Sequence, residues 1–451
     1  MPEREKGKDI VARINLWGQQ VGAVAEQSDG RIIFEYDAAF ARSGLEISPV
    51  HLPLSLKGPV TFPELSRIES FAGLPGVLAD ALPDAFGNAI IRRYFEQHGT
   101  PAAAFSPVQK LLYIGSRAMG ALEFAPAMES FGKGKDAAAV GEALEVARLV
   151  EEARRVIAGD PDVSSDIPAI PAMMQAGASP GGARAKALIL WYRAGNRVKS
   201  AFAPSEPGDE SWMIKFDGVS GGGGGHALQA EFKAGPWCRI EYAYSVMARA
   251  AGIEMAATHL LRERKFAHFM TRRFDRVPSG KKEKNGGATT RLHMHSLGGL
   301  HHLDYNIRGM YSYESYFRTV RLLGMGQLAV DEAFRRMVFN LAARNQDDHV
   351  KNFAFLMQPN GTWQLAPAFD LTYAVGGRWA RTHQMTVRGK DDEFTREDLL
   401  AVGREFDVRK NGALIIEAVD ASLALWPAAA TEAGLAKAQI AEIEGTFRRF
   451  T

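Results

Sequence analysis

The chain has 451 residues, 46% of them hydrophobic and 24% charged, with a formal net charge of +2. That length allows two or three domains around a sizeable core, and so small a net charge gives no bulk electrostatic reason for nucleic-acid binding. The single cysteine, Cys238, excludes an intrachain disulfide and a cysteine-rich metal site. The charged opening stretch lacks the apolar core of a signal peptide, and no run approaches the ~20 apolar residues of a membrane span, so a cytoplasmic protein is expected.

Alternation predicts a strand at 11–17, with further strands at 21–25 and 32–36. Gly73-Leu74-Pro75-Gly76 precedes a helix, Asp84 to Tyr94 forms another, and Tyr113 to Phe124 closes a small mixed unit as turn plus strand. The polar break Gly132-Lys133-Gly134-Lys135-Asp136 ends that unit, and Ala137 to Ile157 has helical spacing. Strands follow around 187–192 and 212–216, and Gly221 to Gly225 reads as a flexible loop. Pro236 starts a helix through Glu241 to Ala251. Phe266 to Val277 is strand and turn, and Lys281 to Gly287 is a hairpin tip or loop. Beyond Tyr313 the signal is mainly helical, at Leu328 to Ala343, Arg396 to Glu405, Asn411 to Trp426 and Leu435 to Phe450. The order predicts an α+β protein with units at 1–130, 131–290 and 291–451, the last largely helical.

Chemistry concentrates in Arg344-Asn345-Gln346-Asp347-Asp348-His349-Val350-Lys351-Asn352, at the end of an apolar run. An Asp, four intervening residues and an Asn, with a further acid at Asp370, is the spacing with which a kinase loop orients a hydroxyl and holds Mg²⁺. Asp347 would be the base or hydroxyl-orienting group, with Asn352 and Asp370 as oxygen ligands to Mg²⁺. The same order would also suit a polar helix end, with Asn345 and Asp347 as local caps. Asp348 is expected to face solvent, His349 to structure the loop, and Lys351 either to touch phosphate or to stay in solvent.

A phosphate cradle is offered by Gly177-Ala178-Ser179-Pro180-Gly181-Gly182-Ala183-Arg184-Ala185-Lys186, whose small residues let backbone N–H groups approach phosphate. It fits neither common glycine-rich nucleotide motif, and an ordinary loop is the plainer reading. Lys215, in a short apolar strand, points either to solvent or into a cleft, where Glu241 on the next helix could pair with it. His293, His295, His301 and His302 form a cluster without nearby cysteine, which favours polar packing or a partner contact over zinc.

Taken together, these segments resemble the HipA-type Ser/Thr kinases, the toxin components of bacterial toxin–antitoxin pairs. The likeness runs from Val21-Gly22, Phe34-Glu35-Tyr36, Ile47-Ser48-Pro49 and Leu52-Pro53-Leu54 to the most specific part, Asn345-x-Asp347-x-His349-x-Lys351-Asn352-Phe353 with Leu365-Ala366-Pro367-Ala368-Phe369-Asp370. The resemblance implies a two-lobed kinase-like fold behind an additional N-terminal subdomain. It implies that Asp347 is catalytic, that Asn352 and Asp370 bind Mg²⁺, and that Lys215 meets ATP phosphates. Ser179 would be an inhibitory autophosphorylation site on a nucleotide loop including Gly181, Gly182, Ala183, Arg184 and Lys186, and Arg272 to Arg276, with Phe274, would flank adenine through backbone groups. It further implies a protein substrate such as an aminoacyl-tRNA synthetase, and a helix-turn-helix antitoxin that reaches operator DNA on the toxin's behalf. A small-molecule phosphotransferase and a non-catalytic antitoxin-bound corepressor are the alternative readings. The histidine-rich segment 293–302 departs from the usual family pattern and marks a divergent branch.

Overall fold

The computed structural model describes residues 9–83, 87–88, 105–127, 146, 150, 184–201, 203, 205–219, 235–283, 286–376 and 380–451. The expected helices at 84–94 and 137–157, the glycine tract, and Ser179, Gly181, Gly182 and Ala183 lie wholly or largely outside them.

The N-terminal unit is built on β1 (Ile10–Leu16), β2 (Gln19–Glu26) and β3 (Ile32–Tyr36), an antiparallel meander. Alternation puts Ala12, Ile14, Leu16, Val24 and Phe34 on one face, and Val21, beside a register shift in the β1–β2 pairing, is buried in the same core. The short helix α1 (Gly76–Ala79) and the helix α2 (Pro107–Ile114) cover that face. Periodicity gave no warning of α2, which a Ser106–Gln109 capping box starts and Gly115, at φ 56, ends. The fourth strand, β4 (Leu122–Pro126), pairs with β1 to complete the sheet order β3-β2-β1-β4.

A second antiparallel sheet contains β5 (Lys186–Tyr192), β6 (Arg197–Ser200), β7 (Asp209–Lys215), β8 (Thr258–Glu263) and β9 (Phe266–Arg272) in the order β6-β5-β7-β9-β8. Between β7 and β8 runs α3 (Trp237–Ala250), entered at Pro236, where a missing N–H costs nothing. The hairpin β10 (Arg276–Glu283) and β11 (Gly286–Arg291) follows, then β12 (His293–Ser296) and the single-turn α4 (Leu297–Leu300).

The largest core gathers α3 with α5 (Tyr313–Leu322), α6 (Gln327–Ala342), α7 (Arg396–Glu405), α8 (Ala413–Ser422), α9 (Trp426–Ala433) and α10 (Lys437–Glu444). Phe317, Phe334, Phe339 and Trp426 are fully buried there, each stabilising by about 1.5–3 kcal/mol or more by area. Between α6 and α7, β13 (Ala354–Met357) and β14 (Trp363–Leu365) join β12 in a three-stranded sheet.

The expected single helix from Asn411 to Trp426 is broken. Lys410 and Asn411 are non-helical, Gly412 has φ 82, and a 3₁₀ turn at Leu423–Leu425 separates α8 from α9. By length and composition alone, Arg409–Ala433 is apolar enough to cross a membrane, but Ile416, Val419 and Trp426 pack it into the helical core. The last helix ends at Glu444, short of the expected Phe450.

Candidate active site

The catalytic stretch begins where α6 stops. Tyr244 Oη on α3 donates to Ala343 O (2.5 Å), satisfying a carbonyl at the helix end, and Arg344 takes the left-handed conformation at φ 59. Asn345 N donates to Asn340 O and Gln346 N to Ala374 O, so the chain leaves the helix under backbone control.

The turn Val350–Asn352 holds the site's polar groups. His349 Nδ1 accepts from Lys351 N (3.3 Å), Asn352 N donates to His349 O (2.9 Å), and Asn352 Nδ2 donates to Asp347 O (2.8 Å). His349 thus shapes the loop as its N-cap, and Asn352 is tied to the backbone of Asp347. Because the carboxamide nitrogen is engaged, its oxygen is the atom left to offer a metal.

Asp348 does not face solvent. It is fully buried, accepting from Tyr313 Oη (2.7 Å), His383 Nδ1 (2.9 Å) and Gln384 N (2.8 Å). Asp347, its neighbour, stays partly exposed, so the two adjacent acids sit in different surroundings. Against the expectation of a solvent-facing neighbour, the loop's second acid is its buried anchor.

Lys215 is buried at the end of β7, directly opposite Lys186 on β5 in the sheet register. Its ammonium donates to Glu241 Oε1 on α3 (2.6 Å) and to Asp370 Oδ1. Burial pushes its pKa down, but the carboxylates of Asp370 and Glu241 outweigh burial and raise it, so the side chain stays cationic. Asp370, at φ 56 in the left-handed region, is held well below the usual carboxylate range: burial opposes ionisation, but Lys215, Lys186 and Arg184 favour it more. Arg184 Nη1 also reaches Glu241 Oε2 (3.3 Å) and packs over the Trp237 ring.

Asp347 moves the other way. Burial raises its pKa, and Asp370 and Asp348 add repulsion that His349 and Arg184 only partly offset. Two interacting carboxyls with pKa values pushed apart suit divided roles, one kept as a charge, the other able to take a proton.

A cleft lies beside these residues, with about 570 Å³ of space counted together with its open mouth. Lys186, Lys215, Glu241 and Asp370 line its polar end, and Met213, Phe269 and Phe274 its apolar side. Phe274 packs on Phe369 (centroids 5.6 Å apart). Arg272 lies apart, with its guanidinium 3.8 Å from Glu210 and its N–H committed to Ala257 O. Lys351 turns toward the N-terminal unit, its ammonium 3.8 Å from Asp80.

Two residues gave no functional signal in the sequence. Asp275 is completely buried, accepting from Arg273 (2.9 and 2.7 Å), Arg276 Nη1 (2.7 Å) and Gly120 N (2.7 Å). It joins the segment that lines the cleft to the N-terminal unit, and a lone acid among three arginines was the available hint. Asp80, a lone acid in an apolar run, is the other. Of the histidines, His293 and His295 share the buried side of β12, while His302 stacks on His51 at 3.9 Å and accepts from Gly76 N (3.0 Å).

A model of the HipA-like C-terminal domain matches residues 178–439, and one of the HipA N-terminal domain matches residues 12–125. The chain belongs to the HipA family. No curated protein sequence matches it. Among solved structures, the Shewanella oneidensis MR-1 HipA, from a complex with HipB and operator DNA, superposes with a TM-score of 0.62 at 16% identity, covering 96% of this chain and 95% of that one. The chain therefore shares the α+β HipA fold over nearly its whole length. The Helicobacter pylori proinflammatory kinase CtkA gives a TM-score of only 0.27 at 12% identity over 52% of this chain and 84% of that one, too low to bear on the fold. Within the C-terminal family match fall Arg184, Lys186, Lys215, Glu241, Asp347, Asn352 and Asp370, of which Lys186, Lys215, Glu241 and Asp370 line the cleft.

Proposed function

We propose that the chain is an ATP- and Mg²⁺-dependent protein Ser/Thr kinase acting as the toxin of a toxin–antitoxin pair. The observation that carries this reading is the buried Lys215, held by Glu241 on one side and Asp370 on the other at the polar end of a partly apolar cleft. A buried lysine poised between a helix glutamate and an acid is the arrangement that phosphoryl transfer uses to hold phosphates and metal together.

In this reading, the apolar side of the cleft takes adenine, Lys215 and Lys186 neutralise phosphate oxygens, and Arg184 fixes the base of the nucleotide loop through Glu241. Asp370 and the Asn352 carboxamide oxygen would hold Mg²⁺, which supplies charge neutralisation on the phosphates. Among the described residues no group of three or more His, Cys, Asp or Glu side chains forms a metal cage, so the ion would complete its shell with phosphate oxygens and water. Asp347, its carboxyl biased toward accepting a proton, orients the substrate hydroxyl.

The substrate is proposed to be a component of translation such as an aminoacyl-tRNA synthetase, met in the cytoplasm. A helix-turn-helix antitoxin is the proposed partner, with operator DNA contacted through it. Ser179 is the proposed inhibitory autophosphorylation site. Each of these finer assignments is supported by family membership and by the sequence around the residues concerned.

The test is incubation of the purified full chain with labelled ATP and Mg²⁺. Wild-type protein should label itself or a protein acceptor, and Asp347→Asn should not. Identical absence of label in both would remove the kinase reading, and phosphopeptide mapping that never places phosphate on Ser179 would remove the autoregulatory part alone.

A further inference from the structure

Asp80 follows α1 and crosses from the N-terminal unit into the seam beside the catalytic loop. Its Oδ2 accepts from His295 Nδ1 (2.7 Å) and Ser296 N (2.7 Å), and its Oδ1 from Ser296 Oγ (2.7 Å). Burial works against ionisation, but His295, Lys351 and the Ser296 N–H favour the carboxylate and bring its pKa to about 2.

Two routes lead from Asp80 to the loop. Through Ser296, whose Oγ also accepts from Gly299 N, it fixes the start of α4, and Leu297 N donates to Phe353 O just past the turn. Directly, its Oδ1 lies 3.8 Å from Lys351 Nζ, with both side chains only 9% exposed, so solvent screens this pair far less than a surface one. Lys351 is also held over the Tyr305 ring, which in turn packs against His349 (centroids 5.2 Å apart). A cavity lined by Asp80, Ser296, Lys351, Met119 and Met294 lies at this seam, and the same two methionines border the nucleotide cleft, so seam and cleft share a wall.

We propose that Asp80 is a positioning residue for the catalytic loop: the N-terminal unit grips Lys351, and through the turn Val350–Asn352 it fixes where Asn352 and Asp347 stand. Its consequence for turnover rests on the phosphotransfer reading, while its geometry does not. The N-terminal unit is on this view a working part of the site.

The test uses the full chain with Asp80→Asn, which keeps the shape and removes the charge, and Lys351→Met, which removes the other partner. Each should speed hydrogen exchange at the backbone amides of residues 350–353 about tenfold or more and lower kcat about tenfold. KM for ATP should stay within about threefold, since the cleft wall formed by Lys186 and Lys215 is untouched. The double variant should be no worse than the single ones. Asp420→Asn is the control: its carboxylate holds Phe450 N and Thr451 N (2.7 Å each), so it should lower the melting temperature and leave exchange at 350–353 alone. Wild-type exchange at 350–353 in Asp80→Asn, or additive effects in the double variant, would overturn the proposal. If wild type transfers no phosphate, the functional reading falls, and the exchange measurement still decides whether Asp80 holds the turn.

Discussion

At the scale of single residues, the cleft is defined by opposite shifts on neighbouring acids. Asp370 is kept ionised by Lys215, whereas Asp347 is kept from ionising easily by burial and by Asp370 and Asp348. A carboxyl with a raised pKa loses its charge at a higher pH than an ordinary aspartate. The acid limb of kcat/KM should therefore fall at a pH above the ordinary aspartate value of 3.8, as a pH–rate profile would show. The sign for stability is the reverse: at neutral pH the folded state carries a charge it disfavours, and that cost fades as pH drops through the raised pKa. Asp347→Asn should thus abolish transfer yet raise the melting temperature. Lys215→Met should lower kcat/KM about 10²–10³-fold through lost charge stabilisation of the phosphates, as steady-state kinetics would measure. Glu241 would then keep Arg184 as its ion-pair partner among the described residues.

At the scale of elements, the loop depends on its buried anchor. Asp348→Ala strands Tyr313, His383 and the Gln384 N–H in the interior, and should cost about 3–5 kcal/mol by chemical denaturation. Because Asp347 adjoins that anchor in the chain, activity of the folded fraction should fall as well. The contact of α1 with α4 is equally exacting: a Cβ on Gly76 would overlap the backbone of Gly299, and one on Gly299 would overlap the Asp80 carboxylate. Gly76→Ala should therefore destabilise by about 1–3 kcal/mol, with enhanced exchange concentrated in α1 and α4. These glycines serve close approach of backbones, a demand that periodicity in one segment does not register.

Across the whole molecule, the N-terminal unit is fastened to the remainder by two buried carboxylates, Asp80 and Asp275, and by a layer of histidines. Burial lowers the pKa of His293 and His301 to about 4 and of His302 to about 3, and it lowers that of His51 as well. Below the ordinary value of 6.5 the unfolded chain binds protons that the folded chain refuses, so stability should decline as pH falls from 6.5 toward 4. Denaturation midpoints measured between pH 7 and pH 5 should show that slope. Replacing His302 with Asn, which tolerates the left-handed conformation at φ 54, should flatten it.

What the sequence determined by itself was local. The alternation of β1 to β3, the apolar run of α6, and the spacing of Asp347, Asn352 and Asp370 follow from side chains within reach along the chain, where a period or a motif is a physical constraint. Lys215 was legible only as a choice between solvent and cleft, because a strand lysine looks the same either way. Tertiary structure decided the rest. It brought Glu241 and Asp370 to Lys215, from α3 and from the segment after β14, and turned Asp348 inward by supplying Tyr313 and His383. It also carried Asp80 to Lys351, 271 residues later in the chain. A carboxylate's role is set by the partners and burial it meets, and those come from packing between distant segments, which no local pattern encodes.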